Sequence, residues 1–191
     1  MSIIPFNTPV GKIFWGHLLM FLCSIFYLVW WITAFKPHSS QPVTKSAVLL
    51  SLAALAGVTG ILIMIQGIRT LPHKNLPISN SCILLGGLAA YVVLFVLTYV
   101  LFKRQVTTEL LLIVGWAVLE LCSVNVLYGA EQFSTVTTIV FCCVIVAAVI
   151  ASLICYILYY QLGTYAGYVD GMLPLIIAAV VMTGVCVKIL M

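Results

Sequence analysis

Six apolar runs, each about twenty residues long and parted by short polar stretches, organise this chain. A helix of that length crosses the hydrocarbon core of a bilayer, whereas barrel strands would show as short alternating segments, which the sequence lacks. The runs predict membrane spans over 13–35, 46–68, 79–102, 107–128, 135–160 and 171–188. Trp15 near one end of the first span, with Trp30 and Trp31 near the other, suits two interfacial aromatic belts. That span is too long for a signal-peptide core and has no small-residue cleavage site, so it is expected to be retained. Lys36-Pro37 stops the helix. The fold expected is an all-α polytopic membrane protein, a single integral domain over 1–191.

Composition supports that class. Of the 191 residues 64% are hydrophobic and only 6% charged, more apolar surface than a soluble domain of this size can hide from water. The partner implied is the lipid bilayer, and the location expected is the cell membrane. Eight basic residues are scattered singly or in pairs, which excludes a nucleic-acid or polybasic lipid patch. They fall four on each side: Lys12, Arg69, Lys74 and Lys188 against Lys36, Lys45, Lys103 and Arg104. The positive-inside rule therefore has nothing to act on, and the side the N-terminus faces is left open. All seven cysteines lie inside apolar runs without a CxxC pair, so packing is their expected role and neither disulfides nor zinc are signalled.

The fourth span carries the chemistry. Glu120 lies near its middle, where a carboxylate costs roughly 2.5 kcal/mol or more to insert and needs a proton or a partner. No Lys or Arg occupies the middle of any span. Glu109 lies about 20° round the helix from Glu120 and about 16 Å along it, and Trp116 and Ser123 share that face. The stripe suits a proton or cation path. Asn125, about 140° away, is expected to bond a neighbouring helix instead. His17 lies one turn into the first span, as an interfacial histidine or a proton relay. Asn80, Tyr91 and Thr98 share a face of the third span, Thr59 and Gln66 one of the second, and Ser152, Tyr156 and Tyr159 one of the fifth. Together they are sufficient to line a narrow polar cavity.

Asp170 reads as the N-cap of the last helix, with Pro174 tolerated in its first turn. The alternative is a helix beginning near Tyr165 and kinked at Pro174, which places Asp170 inside the membrane. Small residues stand at helical spacing in the second span (Ala53, Ala56, Gly57, Gly60), the third (Gly86, Gly87, Ala89, Ala90) and the fifth (Ala147, Ala148, Ala151, Ser152). Such faces admit close approach of another helix, from this chain, a second copy or another membrane protein.

The halves also correspond weakly. His17-Leu18-Leu19 aligns with Glu109-Leu110-Leu111, Ala56 and Gly60 with Ala148 and Ser152, and Asn80-Ser81 with Asp170-Gly171. Two units of three spans each have inverted topology, an arrangement that places binding sites near the midplane.

No nucleophile, phosphate-loop, haem or metal motif is present, so no cofactor is expected. The readings that remain are three. The first is a small transporter or substrate-binding membrane subunit for a cation, a proton-coupled solute or a neutral solute, centred on Glu120. Its alternative is a non-catalytic partner subunit or assembly factor using the small-residue faces. The third, an intramembrane enzyme, would need Glu109 and Asp170 to converge.

Overall fold

The structure is a computed structural model and describes residues 4–34, 46–73, 76–102, 108–159 and 161–191. Lys36-Pro37, Lys45, Lys74, Lys103, Arg104 and Tyr160, which carry part of the sequence argument, lie outside them. The described residues form α1 (Pro9–Ala34), α2 (Ser46–Thr70), α3 (Asn80–Phe102), α4 (Thr108–Gly129), α5 (Thr135–Leu158), α6 (Thr164–Asp170) and α7 (Leu173–Leu190), with no strand among them. Because α6 and α7 share one span, Thr164–Leu190, the described residues hold six helical stretches long and apolar enough to cross a membrane. The chain is an all-helical, multi-pass integral membrane protein.

Local chemistry sets the helix ends. The first helix starts at Pro9 rather than near residue 13, because Thr8 caps it. The Thr8 hydroxyl oxygen accepts the Gly11 amide at 3.0 Å, and Pro9 occupies the first helical position, where its missing N–H costs nothing. Ser134 caps α5 in the same way, accepting the Thr137 amide at 3.2 Å. In the turn between α4 and α5 the left-handed residue is Glu131, at φ 61°, and Gly129 is the last residue of α4.

Two compact units emerge, 1–71 with 160–191, and 72–159. In the first, α1 packs against both α2 and α7. Along α2 the buried residues Ala53, Gly57, Gly60, Met64 and Gly67 recur at alternating intervals, the seam of a helix pair in close contact. A Cβ on Gly60 would lie 3.0 Å from the Gly16 carbonyl oxygen, and one on Gly67 would lie 2.8 Å from Ile13. The small-residue face of α2, one of those expected to serve a partner protein, is thus occupied by α1 of the same chain. Across the α1–α7 contact, the Cys186 thiol reaches the Phe14 carbonyl at 3.8 Å.

In the second unit α4 takes the central place, packing against α5 and α3. Leu110, Val114 and Tyr156 form its buried apolar cluster, with Tyr91, Leu94 and Leu153 packed round it. Gly87 of α3 sits directly against Val118 of α4. Each unit is therefore a central helix flanked by the next helix in sequence and by the third span of the other half. Neither unit coincides with a sequential half of the chain.

Candidate functional site

Glu120 lies about 2 Å from the midpoint of α4 along its axis. Its residue exposure is 1%, and it makes a polar interaction with the rest of the protein. No span is better enclosed: 56% of the most apolar stretch of α4 is buried, against 6% for α3. A residue so enclosed sits where a charge is poorly solvated.

The stripe expected around Glu120 is partly assembled. Ser123 is fully buried and its hydroxyl donates back to the Leu119 carbonyl at 2.9 Å, within its own helix. Trp116, one turn before Glu120, is half-buried, and its buried indole N–H has no acceptor. An unfilled donor one turn from a buried carboxyl is an arrangement able to receive an oxygen-bearing solute. Glu109, at the start of α4, is exposed. Asn125 does bond a neighbouring helix: its amide donates to the Ile78 carbonyl at 2.7 Å and to Asn80 Oδ1 at 2.8 Å, fastening the end of α4 to the start of α3.

Other polar positions are spent elsewhere. Tyr91 packs against the Leu110–Val114–Tyr156 cluster and stacks obliquely on Phe95 at 6.4 Å, in apolar rather than polar company. The Thr98 hydroxyl is satisfied by the Leu94 and Phe95 carbonyls of its own helix, at 2.8 and 3.1 Å. The α3 stripe of Asn80, Tyr91 and Thr98 thus serves packing and helix fastening. On α5, Ser152 is buried, 3% exposed, beside Tyr156 on the face turned inward.

Within the first unit, His17 is fully buried on α1. Its Nδ1 lies 2.7 Å from the Ile13 carbonyl. A carbonyl can only accept, so Nδ1 carries the proton in that bond. The match of His17 with Glu109 does not extend to their surroundings, since one is buried and the other exposed.

Asp170 requires a correction. It is the last residue of α6, and the residue before α7 is Met172, which makes no side-chain cap bond. The N-cap reading therefore fails: Thr164–Asp170 is already helical, and the break falls at Gly171–Met172. Only 8% of Asp170 is exposed, and its Oδ2 has no hydrogen-bond partner. Trp31 holds the break in place. Its indole N–H donates to the Tyr168 carbonyl at 3.1 Å, and its ring lies where a Gly171 side chain would begin, a Cβ there being 2.5 Å from Cζ2. Trp31 was readable only as a belt residue, because its partners lie 137 positions away.

No group of three or more His, Cys, Asp or Glu side chains able to hold a metal ion occurs among the described residues. The site belongs to an α-helical membrane protein with buried carboxyl groups in two of its spans. Comparison with protein-family models, curated proteins and solved structures gives no match.

Proposed function

We propose that this protein is a small transporter or substrate-binding subunit of the cell membrane, with Glu120 as its coupling or ligand-contacting group. The observation that carries the reading is a carboxyl residue 1% exposed at the middle of the best-enclosed span. Ionisable groups at that depth are costly and mark ion or solute paths by default. The unfilled Trp116 donor adds a second point of contact on the same helix face. A buried acid with no Lys or Arg in the middle of any span favours a cation, a proton-coupled solute or a neutral solute over an anion.

The topology of the two units supports the same reading. Exchange of the first half of the chain with the second turns α1, α2 and α7 into α4, α5 and α3, and the packing of one unit into that of the other. Inverted repeats whose third spans are swapped have this pattern, and such repeats are common in transporters.

The test is Glu120→Gln, reconstituted in liposomes that enclose a pH-sensitive dye, with a panel of inorganic and organic cations supplied outside. Wild-type protein is expected to produce flux above empty liposomes for at least one cation. The Gln variant should fold, by its thermal melt, and lose the flux or its pH dependence. A folded variant with wild-type flux and wild-type pH dependence removes Glu120 from the mechanism.

A second reading, a non-catalytic partner subunit or assembly factor, rests on α3. That helix is the least enclosed span, and Gly86, Ala89 and Ala90 are exposed on it. It requires Gly86→Leu to break a complex that survives solubilisation, with Glu120→Gln silent.

A further inference from the structure

We propose that Asp170 and the break between α6 and α7 form a binding site for a small, hard monovalent cation, sodium. The residue offers two acceptor oxygens at one point. Its side-chain Oδ2 is buried without a donor, in a residue more than nine-tenths enclosed. Its backbone carbonyl would be bonded in an unbroken helix by the amide of residue 174, and that residue is Pro174, which has none. Among the carbonyls just before the break, those of Gly167, Tyr168 and Val169 are already filled. The Gly171 amide bonds the Gly167 carbonyl at 3.0 Å, the Met172 amide bonds the Val169 carbonyl at 3.1 Å, and the Trp31 indole takes the Tyr168 carbonyl. Among the described residues, the oxygens left over are those of Asp170 and the Gly171 carbonyl beside it.

Chemistry selects the ligand. Carboxylate and carbonyl oxygens are hard donors, and the open backbone of a discontinuous membrane helix is a recurrent place for sodium. One carboxylate supplies a single negative charge, which one monovalent cation cancels inside a low-dielectric span. A divalent or transition metal would need further carboxylate, His or Cys ligands, and the described residues hold no such cluster. Trp31 sets the depth of the site. It stands about 4–5 Å from the C-terminal end of α1, so the break lies near the membrane surface, within reach of ions from the water phase. The site belongs to the first unit and does not rest on the role given to Glu120.

The experiment uses the full chain in detergent, with radioactive sodium binding and thermal melts in NaCl against choline chloride at equal ionic strength. Wild type and Glu120→Gln should both bind sodium saturably. Both should melt about 5–10 °C higher when sodium exceeds its dissociation constant roughly a hundredfold. Asp170→Asn should lose both signals. Pro174→Ala, which restores the missing amide while keeping the carboxylate, should weaken binding at least tenfold and carries the test if Asp170→Asn does not fold. Equal melts in sodium and choline overturn the proposal. So do sodium binding that survives in a folded Asp170→Asn, sodium binding lost in Glu120→Gln alone, and unchanged affinity in Pro174→Ala.

Discussion

Replacing Gly60 with Leu tests the close seam between α1 and α2. The first added carbon would lie 3.0 Å from the Gly16 carbonyl oxygen, 3.1 Å from Leu19 Cβ and 3.1 Å from Met20 Cγ. The side chain of Met20 can yield. The backbone oxygen of Gly16 cannot, so α1 and α2 must separate, which loosens the Gly16–Met64 and Ile13–Gly67 contacts on the same seam. Overpacking of this kind costs about 1–3 kcal/mol, and the better helix propensity of Leu returns up to about 1 kcal/mol. For a chain of this length a net loss of about 1–2 kcal/mol lowers the melting temperature by roughly 2–8 °C. With the exposed Cys82 and Cys143 replaced by Ser, a thiol-reactive dye reads the melt, because Cys122, Cys155 and Cys186 are buried until the helices part. Gly115→Leu is the control, since nothing lies within 4 Å of a Cβ at that position. It should melt with the wild type or slightly above it. If Gly60→Leu melts with the wild type, or Gly115→Leu falls as far, the seam does not carry the stability assigned to it.

Two further substitutions probe single contacts. Asn125→Ala removes both bonds to the start of α3 and should cost about 1–2 kcal/mol, read as a lower melting temperature with unchanged helix content by circular dichroism. Trp31→Phe keeps an aromatic ring beside the break but loses the bond to Tyr168, for a loss of about 0.5–1.5 kcal/mol. Trp31→Ala leaves a cavity as well and should cost about 3–5 kcal/mol by the same assay. Should Phe and Ala prove equally damaging, the ring packing described at the break is not what holds it.

The number and placement of the spans were legible because hydrocarbon thickness imposes a length on every crossing helix. Their ends were less so. Thr8-Pro9 starts α1 before its apolar run begins, since capping chemistry rather than hydropathy sets the first turn. Pro174 stands in the first turn of the last helix, as the sequence suggests, yet a further helix, Thr164–Asp170, precedes it across the break at Gly171–Met172. The difference lies in Trp31, whose contact with the gap has no local trace. The company of each helix was not legible at all. Lipid and protein neighbours are equally apolar, so α1 shows no stripe that points to α7 rather than α3. Glu120 stood out for the converse reason: in an apolar span one carboxyl group carries the whole signal.

The first unit joins α1 and α2 to α7, while the second is contiguous from α3 to α5. On the ribosome these differ. The second unit has all its helices as soon as α5 has entered the bilayer, whereas α1 must wait through three intervening spans for its second flank. During that interval the face of α1 that will meet α7 is open to lipid or to other proteins. Biogenesis of this protein thus has a built-in vulnerable period, and the last helix to arrive is the one that closes it.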